Sequence, residues 1–103
     1  MNSFTDIYFK MGEYKLVRSS YLNNGYLAVV AFSNTGECIG SVTVNIKGDK
    51  LEKNEAYLDE NNLPGIGVVL ERDGYATRTG FCEYSGFCEY PKFKFNLGKL
   101  LTE

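Results

Sequence analysis

Residues 59–75 read DENNLPGIGVVLERDGY, and whether their middle is helix or strand separates an α+β chain from an all-β one. Asn61 or Asn62 suits an N-cap, Pro64 suits a first helical turn, and Gly74 suits the position just past a helix end. Leu63, Ile66, Val69 and Leu70 fall on one side at helical spacing. Against the helix, Gly65 and Gly67 each cost roughly 1 kcal/mol relative to alanine in a helix interior, and IGVVL alone would pass for a strand. The helical reading over 63–73 accounts for more of the residues.

On both sides of this segment the text is strand-like. Upstream, YKLVRSSYL (14–22) and YLAVVAF (26–32) flank Asn23-Asn24-Gly25, and Asn-Gly between apolar runs signals a hairpin with a type I′ turn. Both faces of 26–32 are apolar, as in a central strand. After the turn Ser33–Gly36, CIGSVTVNIK (38–47) alternates, with Val42, Val44 and Ile46 on one face and Ser41, Thr43 and Asn45 on a wet one. Gly48-Asp49 ends that strand, and AYLD (56–59) is a further short one. Downstream, residues 75–101 resume strand character, with Phe93 and Phe95 opposite Lys92 and Lys94. Pro91 belongs at a strand start, a bulge or an edge. Residues 1–12 read as a loose arm or short edge strand and 96–103 as a loose tail. The expected fold is one α+β domain over 1–103: a mostly antiparallel sheet of five or six strands with one short helix packed on it.

Composition narrows the chemistry. The 103 residues suit a single modest core, and a net charge of −2 supplies no long-range attraction to nucleic acid. There is no histidine, which removes the commonest general base and every Ser-His or Cys-His pair. Three cysteines, no visible secretory signal and no apolar run long enough for a membrane span point to a reducing cytoplasm. Zinc is disfavoured, because Cys82 and Cys88 are too far apart in sequence for a ligand pair and Cys38 is remote. Asp59 with Glu60, or Glu83 with Glu89, would be the acids of a hydrolase, but solvated charges on turns and strands are the ordinary explanation. GIGVV lacks the third glycine of a dinucleotide-binding loop. Neither an enzyme nor a cofactor is expected.

The most unusual phrase is GFCEYSGFCEY (80–90), one pentapeptide written twice. In a single strand an even spacing presents both copies to the same face, whereas in a helix they diverge. As a hairpin it has alternative registers. A three-residue loop, Tyr84-Ser85-Gly86, sets Cys82 opposite Cys88 and admits a reversible disulfide, while a two-residue loop at Ser85-Gly86 opposes Glu83 to Cys88. Inert free thiols remain the ordinary fate of cytosolic cysteines. The rings beside cations here (Arg78, Phe81, Tyr84, Phe87, Tyr90, Lys92, Phe93) would suit single-stranded bases, although so acidic a chain favours core rings and wet lysines.

Three stretches, GYLAVVAFSNTGECIGSVTVNI, NEAYLDENNLPG and SGFCEYPKFKF, resemble a small family of unknown function (domain of unknown function 4313). Its members are carried on conjugative elements and prophages of Firmicutes and related bacteria. The resemblance runs from about Tyr14 to Phe95 and is most specific at Asn54-Glu55-Ala56, Asp59, Asn61-Asn62 and Ser85–Pro91. The family pattern Ser-Gly-Phe-Cys-x-Tyr-Pro occurs once, so Ser85–Pro91 matches it and Gly80–Tyr84 departs from it. The resemblance implies an accessory or anti-defence protein of a mobile genetic element.

Together these readings favour a non-catalytic module that binds an unidentified protein partner. Its surface would combine the turn Asp59–Pro64 with the aromatic segment Thr79–Pro91, using Asp59, Asn61, Asn62, Arg78, Phe87, Tyr90 and Pro91. The alternative is a small-ligand or nucleotide-binding domain with Asn61, Asn62, Arg78 and Tyr90 as polar contacts. A convergent pocket would favour the ligand and an exposed aromatic patch the partner.

Overall fold

After a short helix, α1 (Phe4–Tyr8), the expected first hairpin forms as β1 (Tyr14–Ser20) and β2 (Leu27–Ser33), paired antiparallel from Tyr14 opposite Ser33 to Ser20 opposite Leu27. The computed structural model describes residues 4–47 and 50–102; the strand end expected at Gly48-Asp49 lies outside them. The hairpin connection is wider than a type I′ turn. Tyr21 N–H donates to Tyr26 O (3.0 Å) and Gly25 N–H to Tyr21 O (2.8 Å), and of Asn24 and Gly25 only the glycine has positive φ. The asparagines have other partners: Asn24 Nδ2 donates to Asn45 Oδ1 (3.0 Å), Asn45 Nδ2 donates to Asn23 Oδ1 (2.8 Å), and Asn24 Oδ1 accepts from Tyr26 N–H (3.0 Å).

The strand expected over 38–47 bends between two sheets. Its first part, β3 (Cys38–Ser41), pairs with β2, and its second, β4 (Thr43–Val44), pairs with β5 (Glu55–Leu58). Val42 is the corner. Its N–H donates to Val29 O (2.9 Å) and its C=O accepts from Asp59 N–H (3.0 Å). The alternation read from sequence fails here, because Thr43 as well as Val42 is buried. Thr43 Oγ1 accepts the Val29 N–H (3.1 Å) and is hydrogen-bonded to the Tyr21 hydroxyl (2.9 Å), so the supposed wet residue satisfies a buried amide.

The strands therefore divide into two four-stranded sheets, not one sheet of five or six, within the expected mostly antiparallel α+β class. The first has the order β3-β2-β1-β8, where β8 (Leu101–Thr102) runs parallel to β1. The second has the order β4-β5-β7-β6, with β6 (Ala76–Ser85) and β7 (Cys88–Phe95). One hydrophobic cluster takes residues from both sheets and from the helix that follows β5, among them Leu16, Val29, Val42, Leu58, Ile66, Leu70 and Phe93.

That helix, α2, spans Ile66–Arg72 and buries Ile66, Gly67, Val69 and Leu70, which bears out the helical spacing. Its capping differs from expectation. Neither Asn61 nor Asn62 is the cap, and Pro64 precedes the helix; Gly65 occupies the N-cap without a side-chain bond. Glu60 supplies the carboxylate instead: Oε1 accepts from Gly65 N–H (2.9 Å) and Oε2 from Gly67 N–H (2.7 Å). An anion there satisfies first-turn amides and opposes the positive end of the helix dipole. At the far end Tyr75 N–H reaches Leu70 O (2.9 Å) and Gly74 N–H reaches Glu71 O (3.2 Å), the paired bonds of a Schellman closure.

Residues from both outer segments, expected as a loose arm or short edge strand and a loose tail, pack into this core. Phe9 is fully buried and stacks edge-on against Tyr14, with centroids 5.0 Å apart. Leu100 is buried after a 3-10 turn, Leu97–Lys99. Arg72 Nη2 donates to Phe9 O (2.8 Å) and to Asp73 Oδ2 (2.8 Å), and the Tyr14 hydroxyl donates to Asp73. Arg72 and then the Tyr14 hydroxyl hold the Asp73 carboxyl below its ordinary value. Burial, followed by the bond to Asp73, pushes the Tyr14 phenol well up.

The signs define a stability window. A carboxylate depressed on folding stabilises the fold above its unfolded pKa of about 4 and loses that stabilisation as pH falls through the folded value. A phenol raised on folding stabilises it below its unfolded pKa of about 10 and loses that contribution as pH rises further. Thermal midpoints measured from about pH 2 to about pH 11 are expected to be flat around neutrality and to fall at both ends. Asp73→Asn should flatten the acid limb, and an unchanged acid limb in that variant would refute the assignment.

Candidate functional site

β6 and β7 form a long hairpin that outruns the sheet. β5 pairs with β7 only from Lys94 to Lys92, and beyond that β7 is bonded to β6 alone, from Cys82 opposite Pro91 to Ser85 opposite Cys88. Pro91, which has no N–H to donate, stands one residue past the last β5 pair, Tyr57–Lys92. At the same level β6 bulges: Thr79, Gly80 and Phe81 lie between Arg78, paired with Phe93, and Cys82, paired with Pro91. Thr79 Oγ1 stitches the bulge, donating to Lys92 O (2.9 Å) and accepting from Phe81 N–H (3.2 Å). On the outer edge of β6, Glu71 Oε2 accepts the Arg78 N–H (3.2 Å) and Glu71 Oε1 accepts Arg78 Nε (2.9 Å). A helix carboxylate thus occupies an edge amide that would otherwise invite another strand.

Neither register considered for the doubled pentapeptide forms. The loop is Gly86-Phe87, with Ser85 paired to Cys88. Gly86 carries positive φ (63°) and Phe87 does not, the pattern of a type II′ turn, which wants glycine first. The two-residue loop reverses the facing of the copies. Cys82 and Tyr84 share a face with Glu89 and Pro91, while Cys88 and Tyr90 share the other with Ser85 and Glu83. Cys82 and Cys88 therefore point to opposite sides, and all three cysteines are free. The Cys82 thiol is raised, first by its hydrogen bond to Glu89, and the same carboxylate accepts from Tyr84 and is lowered by it. Raising the thiol's pKa makes Cys82 less nucleophilic than an ordinary exposed cysteine.

Aromatic exposure is concentrated on this arm: Phe81 is 69% exposed, Tyr84 66% and Phe87, at the tip, 107%. Phe93, counted with them in the sequence, belongs to the core at 1%. Lys92 Nζ lies 5.3 Å from the Phe81 ring centroid and the Arg78 guanidinium 5.3 Å from that of Phe93, both within cation–π range.

The residues singled out from sequence do not converge. Asp59 and Asn62 form a local turn, with Asn62 N–H on Asp59 Oδ1 (3.2 Å) and Asn62 Nδ2 on Oδ2 (2.9 Å). Both line a groove of about 340 Å³ beside Ile39, Ser41 and Leu63. Tyr90 is half-buried on the arm, its phenol raised by partial desolvation, then by Cys88 and the Asp59 carboxylate. Asn61 is exposed in that turn. Arg78 is taken up by Glu71 beside α2, Phe87 marks the tip and Pro91 sits at the arm's root. Arg78 and Asn62 line different hollows. Phe81 and Tyr84 belong to the exposed set, and the signal that could have singled them out is Gly80, which licenses the bulge that turns Phe81 outward. Among the described residues no cluster of three or more acidic or cysteine side chains is close enough to hold a metal ion, and no helix is long and apolar enough to cross a membrane.

Fold and arm together define a small two-sheet α+β domain that carries an aromatic hairpin. The chain belongs to the family DUF4313, a domain of unknown function, which matches residues 15–102. No curated protein and no solved structure matches the chain.

Proposed function

We propose that this protein is a non-catalytic binding module that grips a protein partner with the β6–β7 arm. The observation that carries the reading is the exposure of Phe81, Tyr84 and Phe87 on a ribbon with no third strand. Two-stranded ribbons are marginal by themselves in water, and rings concentrated on one supply much buriable area with few torsions to freeze. The turn Asp59–Pro64 extends the surface at the arm's root through Tyr90. Three free thiols favour a cytoplasmic setting, and the family resemblance favours an accessory role on a conjugative element or prophage, where blocking a host or phage defence component is a fitting task.

The test compares immobilised wild type with Phe81→Ala/Phe87→Ala in a host lysate, read by quantitative mass spectrometry. Both rings are exposed, so circular dichroism should show the variant folded. A partner enriched on wild type is expected to fall at least about tenfold on the variant, as loss of about 1.4 kcal/mol of hot-spot contact requires. Equal retention on both baits, or none on either, refutes the arm as the binding surface.

A further inference from the structure

The outer face of the second sheet carries a hollow that shares Phe81 with the arm surface and otherwise lies outside it. It encloses about 380 Å³ and is lined by Glu55, Thr77, Arg78, Thr79, Phe81, Lys92 and Lys94, a size within the range of small-molecule sites. Three cations and one carboxylate line it, on a chain whose net charge is −2. Arg78 is held by Glu71, but neither Lys92 nor Lys94 is in an ion pair among the described residues. Glu55 is the cross-strand partner of Lys94, yet its Oε1 accepts the Glu52 N–H (2.9 Å).

The cause is local to the fold. Lys92 and Lys94 lie two residues apart on β7 and so point to the same face, their Cα atoms about 7 Å apart. The bulge at Thr79–Phe81 brings an aromatic ring beside them on the neighbouring strand, and Lys94 is paired with Thr77 on β6. Two ammonium groups at that spacing suit a chain of phosphates better than one phosphate. The exposed Phe81 ring offers a stacking surface at one end, and base–aromatic stacking tolerates any base.

We propose that this hollow binds a nucleoside di- or triphosphate, with the phosphates between Lys92 and Lys94 beside the Thr77 hydroxyl and the base against Phe81. The site shares Phe81 with the arm but not its tip, because Phe87 and Tyr84 are not among its lining residues.

Isothermal titration at low and at physiological salt tests this with ATP, inorganic pyrophosphate and adenosine. ATP is expected to bind saturably and more weakly at the higher salt, pyrophosphate more weakly than ATP, and adenosine weakest. Lys92→Gln/Lys94→Gln should reduce affinity for ATP and pyrophosphate at least about tenfold, and Phe81→Leu should reduce ATP affinity about fivefold while leaving pyrophosphate unchanged. Leu22→Ala, exposed on the β1–β2 loop, should change nothing. No saturable ATP binding, binding indifferent to the lysines, or binding of a single-stranded oligonucleotide without mononucleotide binding would each overturn the proposal. Because the lysate experiment reads the partner and titration reads the nucleotide, failure of either is distinguishable from failure of the other.

Discussion

Phe93→Ala is expected to destabilise the protein by about 3–5 kcal/mol, the usual range for deleting a fully buried aromatic ring. Phe93 is 1% exposed and joins three elements. It is paired with Ala56 on β5 and Arg78 on β6, and its ring lies under Gly67 of α2. Little can collapse into the vacated space from above, because the helix is already held by Glu60 at one end and its Schellman closure at the other. A domain of this size has only about 5–15 kcal/mol in total. Chemical denaturation should therefore show a midpoint displaced to low denaturant or an unfolded chain. A loss below about 1 kcal/mol would mean that Phe93 does not hold α2 to the sheet.

Gly67→Ala tests the same contact from the other side, and its sign is the informative part. Alanine in place of a helical glycine ordinarily gains up to about 1 kcal/mol. Here a Cβ on Gly67 would stand 2.6 Å from Phe93 Cζ and 2.9 Å from Glu60 Oε2, closer than real side-chain contacts allow. Either the helix lifts off the ring or the Glu60 clamp opens, and overpacking of this kind costs about 1–3 kcal/mol. The variant is expected to be less stable than wild type by that amount. Combining it with Phe93→Leu, which shortens the ring side chain, should cost less than the sum of the two single changes. A stabilised Gly67→Ala protein, or strict additivity, would show that the close approach is absent.

These residues also show what was readable beforehand. The spacing of Leu63, Ile66, Val69 and Leu70 identified the helix because its burial is one-sided, and periodicity reports that directly. The glycine inside it counted as evidence against a helix, because propensity is a local quantity and the reason for Gly67 is a ring twenty-six residues later in the chain, Phe93. The cap was misplaced for a similar cause: Asn61 and Asn62 have the right chemistry, but Glu60 reaches forward to Gly65 and Gly67 while Asn62 turns back to Asp59. Division into two sheets was hidden because VTVNI alternates as any half-wet strand does, and only the tertiary partners of Thr43 reveal the corner. In the arm, a duplicated phrase offers equivalent turn residues, so register was ambiguous. The Gly86-Phe87 loop, the bulge at Thr79–Phe81 and the Pro91 position settle it together, and that combination appears only when both strands are aligned. Of the candidate residues on the expected strand pair, Phe87 is exposed at the tip and Tyr90 is half-buried. Arg78 was not recognisable as the partner of Glu71, since that bond depends on where α2 docks.

The corner at Val42 has a consequence for how the molecule comes apart. A single residue, Val42, is hydrogen-bonded to Val29 through its nitrogen and to Asp59 through its oxygen, so the two sheets are tied together at that point. Local openings then divide unequally. The tip of the arm is bonded only to itself and can fray at little cost, whereas β2, β3, β4 and β5 are coupled through Val42 and are expected to open together. A small chain thereby combines a pliable arm with a base that responds to heat or denaturant as a single body.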